Sequence, residues 1–223
     1  MGAPLFDKLA GRYDAWFDTP RGAAIFAAEV DCLRSLMPDD PSGWIEVGVG
    51  TGRFAEALGV PEGVDPSTAV LRKAAARGVR TVPGTAEDLP SPTGSRSGVL
   101  LVVTLCFLDA PGPAMAEFAR VLADGGRLLV GIVPADSRWG RHYRRLARRG
   151  HPFYSAATFY TSREAVDLAR AAGFRLVDQA STLAMGPDEP VRETAVVRDT
   201  GAAYGFAGLL FEIGPPAPGR AEG

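Results

Sequence analysis

Cysteine and histidine are scarce in this chain: 223 residues hold only Cys32, Cys106, His142 and His151. Two cysteines cannot build a disulfide framework and suit a reducing compartment, so a cytoplasmic setting is expected. The histidines stand nine positions apart, with neither i, i+4 spacing nor a neighbouring cysteine, so no metal site is expected. Neither histidine has an identifiable partner for a Ser-His-Asp or Cys-His arrangement. Long apolar runs are missing too. None approaches the ~18 residues of a membrane span, and residues 1–20 lack a signal-peptide core, so no membrane association is expected. Charge of one sign is lacking as well: the formal net charge is −2, which gives no bulk attraction for nucleic acid. What remains, 46% hydrophobic and 22% charged, suffices for one well-buried α/β domain.

Within that ordinary composition one stretch stands out, Trp44-Ile45-Glu46-Val47-Gly48-Val49-Gly50-Thr51-Gly52-Arg53-Phe54. A short apolar run reads as a buried strand, and glycines at alternate positions let the backbone turn tightly and approach a ligand. Phe54 to Leu58 can start a helix whose N-terminal N–H groups would face a bound molecule. A dinucleotide fingerprint needs G-x-G-x-x-G, but counting from Gly48 the third position is Arg53. There is also no G-x-x-x-x-G-K-[ST] for polyphosphate. Glu46, two places before the first glycine, is charged where a dinucleotide strand is usually apolar.

The pattern E-x-G-x-G-x-G resembles motif I of the class I S-adenosylmethionine (SAM)-dependent methyltransferases. The resemblance places Glu46 near the methionine end of that cofactor, with the glycine loop beneath it. Asp65 follows Gly48 by 17 positions, close to the roughly 20-residue offset at which an acid meets a ribose in βαβ sites. A carboxylate fork suits a vicinal diol. Pro66 and Ser67 then open a helix, with Ser67 its N-cap and Gly78 its stop. Gly84-Thr85-Ala86-Glu87-Asp88-Leu89-Pro90 resembles the family's adenine loop, with Thr85 in place of the usual aspartate and backbone donors around Ala86 and Glu87. Arg120 to Gly126 is similar to the family's R-V-L-x-P-G-G passage, with Asp124 for proline. Ser97-Gly98 replaces the usual Phe-Asp before the fourth strand. The likeness spans about residues 10–182 and fits the type 11 branch best. Val103–Phe107, Ser137–Tyr143 and Phe153–Thr161 carry further motifs of a narrower bacterial and archaeal set.

Punctuation by Pro and Gly gives the expected architecture. Residues 5–37 read as N-terminal helices, and strands fall near 44–48, 61–65, 79–82, 99–104 and 127–133. A helix runs from about Pro113 to Leu122, and Ala123 to Gly126 is a turn. Thr161-x-x-Glu164 is a capping box for a helix ending at Gly173. Phe174–Thr182 and Phe206–Ile213 complete the strands, while residues 184–204 are too polar and interrupted to place. Alternating strands and helices give a Rossmann-like, doubly wound α/β sheet with helices on both faces. The family likeness adds that the sheet has seven strands, the last antiparallel. Residues 1–214 form one domain in this reading and 215–223 a disordered tail.

The segment Pro134–Tyr160 is the most individual. It carries Arg138, Arg141, Arg144, Arg145, Arg148 and Arg149 among Trp139, His142, Tyr143, His151, Phe153, Tyr154, Phe159 and Tyr160. Three readings stand: a lid over a methyl-acceptor site, a solvated basic helix, or an RNA-binding patch. From residue 141 the arginines fall on one helical stripe, which supports a solvated face. Cys106 reads as packing rather than as a nucleophile.

The resemblance implies SAM as cofactor and S-adenosylhomocysteine (SAH) as product and names no acceptor; the expected reaction is in-line displacement onto a small molecule. It implies a cofactor site of Glu46, Gly48, Gly50, Gly52, Asp65, Pro66, Ser67, Thr85, Ala86, Glu87 and Thr104. Tyr13, Trp16, Trp139, Tyr143, Phe153, Tyr154 and Tyr160 are expected to bind the acceptor, and His142, Tyr143 and His151 to move protons. The chain is expected to act as a monomer or homodimer. The rival readings are a non-catalytic SAM-binding or RNA-interacting module and a nicotinamide oxidoreductase.

Overall fold

A computed structural model describes residues 3–191 and 194–214; the expected tail at 215–223 lies outside the described residues. Seven strands form one sheet: β1 (Trp44–Val47), β2 (Glu62–Asp65), β3 (Arg80–Pro83), β4 (Arg96–Val102), β5 (Leu122–Ile132), β6 (Phe174–Thr182) and β7 (Phe206–Ile213). Their order is β3-β2-β1-β4-β5-β7-β6, parallel except that β7 runs antiparallel to β5 and β6. The helices are α1 (Ala3–Trp16), α2 (Pro20–Arg34), α3 (Arg53–Leu58), α4 (Thr68–Ala76), α5 (Pro111–Val121), α6 (Arg138–Arg148) and α7 (Ser162–Ala171). No helix among the described residues is long and apolar enough to cross a membrane.

Side chains alternate across the pleat, so a central strand feeds two cores. On β5, Leu128 and Val130 pack with Met115 and Phe118 of α5, whereas Leu129 joins Leu33 of α2 and Trp44. The continuous apolar run of β4 is explained by this double burial. The limits of β6 and β7 and the reciprocal Thr161–Glu164 capping box match the sequence reading. Several boundaries differ from it. Strand β4 starts at Arg96 rather than 99, and β5 at Leu122 rather than 127, because Arg96 pairs with Leu122 ahead of a register shift. Residues 123–126, expected as a turn, therefore lie inside β5, with Gly125 at φ 71 making the kink. Strand β4 ends at Val102, so Thr104 begins the following loop rather than closing the strand. Helix α5 begins two residues earlier than expected, with Pro111 in its first turn.

Candidate active site

The three glycines after β1 all take positive φ, at 69, 53 and 81 degrees for Gly48, Gly50 and Gly52, but for different reasons. A Cβ at Gly48 would run into the Thr104 side chain, and one at Gly52 would stand 2.8 Å from Ala74 Cα. A Cβ at Gly50 meets no atom within 4 Å, because Gly50 faces a cavity. Gly48 and Gly52 thus let the loop pack, and Gly50 leaves the cavity open. The loop is pinned from β2: the Gly48 and Val49 N–H groups donate to Val64 O at 2.8 and 3.1 Å. Asp65, 6% exposed, accepts from Gly50 N at 3.1 Å and from Ser67 N at 2.9 Å. Burial pushes its carboxyl up, while the Ser67 and Gly50 N–H groups pull it down.

The cavity, about 470 Å³, has two unlike walls. The sheet side presents Glu46, Gly48, Gly50, Asp65 and Thr104. Glu46 is 1% exposed, and its Oε2 has no hydrogen-bond partner among the described residues. Burial pushes this carboxyl well up, the Ala55 backbone N–H opposes, and the nearby Asp65 charge adds to the rise. A buried carboxyl with one oxygen unpartnered among the described residues, a second carboxyl with spare acceptor capacity and an open backbone at Gly50 form a cradle. These groups fit a ligand with a cationic end, a diol and close backbone approach, as SAM has.

The opposite wall comes from α1, α2, α6 and the turn after it, with Tyr13, Trp139, Tyr143, Phe153, Tyr154 and Tyr160 on it and the 39%-exposed Trp16 at its edge. Tyr143 and Tyr154 stack at 4.4 Å, and His151 stacks on Tyr154 at 4.5 Å. Trp139 is anchored by its Nε1 donating to Met185 O at 2.7 Å, with the Arg21 guanidinium 5.7 Å over its ring. Ser137 caps α6, accepting from Gly140 N at 2.9 Å. Burial raises the phenols of Tyr143 and Tyr154, so both hydroxyls stay protonated. His151 is pushed down by burial and then by Arg12, and its Nδ1 has no partner among the described residues. Its neutral imidazole can accept a proton. His142 also reaches the cavity. Arg141, Arg144, Arg145, Arg148 and Arg149 are all exposed, while Arg138 pairs with Glu189.

Every residue expected to bind the acceptor or move protons therefore lines one cavity. Of the expected cofactor residues, Glu46, Gly48, Gly50, Asp65 and Thr104 line it as well. Gly52, Pro66, Ser67, Thr85, Ala86 and Glu87 stand outside its wall. Ser67 is fully buried, capping α4 and donating to Asp7 Oδ1 at 2.5 Å. Thr85 bridges to Asp88, Ala86 is in the core, and Glu87 Oε1 is buried without a partner among the described residues. Cys106 is on the wall as a thiol, pushed to about 12 by burial, its Sγ 3.4 Å from Val103 O.

Two acids that the sequence did not single out matter here. Glu29 of α2 lines the cavity. Asp14 of α1 accepts from Thr51 Oγ1 at 3.0 Å, Arg53 Nε at 2.7 Å and Arg77 at 3.0 Å, tying α1 to the glycine loop. Both acids sit in helices where periodicity reads them as solvated, and only their apolar neighbours at helical spacing hint at burial.

Comparison with known proteins bears on the fold and the family. The Methyltransferase domain family matches residues 45–130. A crystal structure from Thermotoga maritima, described as a SAM-dependent methyltransferase and possible histamine N-methyltransferase, is 34% identical. It superposes with a TM-score of 0.88, the match covering 94% of this chain and 98% of that one. An uncharacterised protein of Methanocaldococcus jannaschii is 32% identical over 179 residues, 80% of this chain and 85% of the relative. An uncharacterised protein of Mycobacterium tuberculosis is 42% identical over 178 residues, 80% of this chain but only 62% of the relative's length.

Proposed function

Because the chain belongs to the class I SAM-dependent methyltransferases, of the type 11 branch, we propose that its acceptor is a small molecule held against the aromatic wall. One observation carries this reading: one partly open cavity joins the glycine-loop wall to the aromatic wall. Helices α1 and α6 roof the acceptor side with Tyr13, Trp139, His142 and Tyr143, leaving a chamber of about 470 Å³, within the roughly 300–1,000 Å³ usual for small ligands. When bound, SAM supplies an electrophilic methyl group on a sulfonium sulfur. The chain's own work is then positioning and exclusion of water. Glu46 and Asp65 hold the cofactor's polar ends, and Gly50 lets it lie against the backbone. The stacked rings of Tyr143 and Tyr154 give the acceptor side an apolar wall that excludes water from the reacting centre. An acceptor that must lose a proton has the His151 imidazole on the cavity wall as its base. The exposed arginines of α6 point away from this chemistry, and nothing in the cavity calls for nucleic acid.

An acceptor screen that follows SAH release tests the reading. Small amines, thiols, phenols and carboxylic acids are expected to include a substrate. Turnover with RNA or protein and none with small molecules would overturn the small-molecule assignment.

A further inference from the structure

Glu29 lies mid-way along α2 among Ile25, Ala28 and Leu33, all buried. It is 8% exposed, and its side chain faces the acceptor half of the cavity. No hydrogen bond or ion pair joins its carboxyl to another described residue. A buried carboxyl without a partner is among the costliest choices a fold can make. An apolar residue at this position would complete the packing of α2 without that cost. The cost therefore points to a ligand.

The surroundings specify which ligand. Two arginines reach the cavity, and neither serves Glu29. Arg21 donates to Pro187 O and Glu189 O and covers Trp139, and Arg12 is exposed. A charge on Glu29 makes Tyr13, Tyr143, Tyr154 and Cys32 harder to ionise, which places the carboxyl among phenols and a thiol. Tyr13 also feels Glu46, so its phenol is near both acids. The acceptor half thus offers one unpaired carboxyl, able to ionise beside a bound cation, among aromatic side chains.

We propose that Glu29 anchors the ammonium group of a methyl acceptor, the methyl going to a different, unprotonated atom of that molecule, and so selects cationic amines over alcohols and acids of the same shape. The assignment rests on the methyltransferase reading of this cavity and names the substrate class within it. It also carries a proton signature. Burial pushes Glu29 to about 8, so the empty site is mostly protonated at neutral pH. Seating an ammonium beside it ionises the carboxyl, and close to one proton leaves to the buffer for each amine bound.

The test is calorimetry on the SAH-loaded protein with phenethylamine and histamine, each beside its alcohol counterpart, in two buffers of different ionisation enthalpy at pH 7. At least one amine is expected to bind about tenfold or more tightly than its alcohol, as a charge-assisted bond implies, with proton release. Glu29→Gln, nearly the same shape, should keep SAH affinity but lose both the preference and the proton release. Glu29→Asp, with the charge withdrawn by one methylene, should keep the preference with weaker affinity. The proposal is overturned if neither amine outbinds its alcohol, or if the margin survives Glu29→Gln. Failure of the wild-type protein to bind SAH would instead strike the underlying methyltransferase reading, and the assignment would fall with it. Retained SAH affinity in the variants shows that they fold.

Discussion

Asp65 shows how one residue serves both loop and ligand. Its two oxygens each accept one backbone N–H, from Gly50 and Ser67, which leaves roughly half of a carboxylate's acceptor sites for a ribose diol. Replacement by alanine removes the diol contact and loosens the Gly50 amide at the same time. Asp65→Ala is expected to weaken SAM binding by about 1.5–3 kcal/mol, the range for hydrogen bonds to a charged group. Titration calorimetry on the folded variant checks it, and unchanged affinity would remove Asp65 from the site. The neighbouring glycines make the complementary point. Gly48 and Gly52 are required by Thr104 and Ala74 as well as by their positive φ, whereas Gly50 is required by its positive φ alone and its Cβ position opens on the cavity.

At the scale of elements, α1 is held by ions rather than by its apolar face alone. Asp14 has a 12% exposed side chain facing Arg53, Arg77 and Lys73. Burial works against its ionisation, but the bonds from Arg53, Thr51 and Arg77 outweigh it and hold the carboxyl at about 2, below the ordinary 3.8. A depressed folded-state value means that the stabilisation is complete above the ordinary value and is lost as pH falls towards about 2. Asp14→Asn should therefore cost about 2–3 kcal/mol at pH 7, between an exposed and a fully buried pair. Urea unfolding of both proteins should show that gap narrowing as the pH is lowered. A gap that is the same at pH 7 and in acid would contradict the account. None of this was legible in the sequence, because the partners of Asp14 lie 37 to 63 positions away. Local signals were legible: the Thr161–Glu164 box and the runs forming β6 and β7 are decided by neighbouring residues. The starts of β4 and β5 were not, since Arg96 and Leu122 become strand only by pairing with each other. In the site, the glycine loop and the aromatic insert stood out by composition, whereas Glu29 looked like any helix-surface acid. Helix α6 carries a further expectation. Tyr143→Ala or Tyr154→Ala should lower turnover on the true acceptor with SAM affinity nearly intact. Loss of Arg145 and Arg148 together should matter much less, being on the exposed face. Intact turnover in the tyrosine variants, with salt-sensitive RNA binding lost in the arginine variant, would contradict the lid.

For the whole molecule, strand order decides where chemistry can occur. The sheet reverses its winding between β1 and β4, so the loops leaving those strands diverge and open a crevice at their carboxyl ends. Gly48 and Gly50 enter from β1, Asp65 from β2 and Thr104 from β4, and the helices on the other side close the crevice into a chamber. The central claim is that this chamber holds the cofactor against one wall and the acceptor against the other. A crystal structure with SAH bound tests it most directly. The account expects the ribose on Asp65, the amino-acid end near Glu46, and the sulfur turned towards Tyr13 and Tyr143. SAH seated elsewhere, or with its sulfur turned away from the aromatic wall, would contradict it.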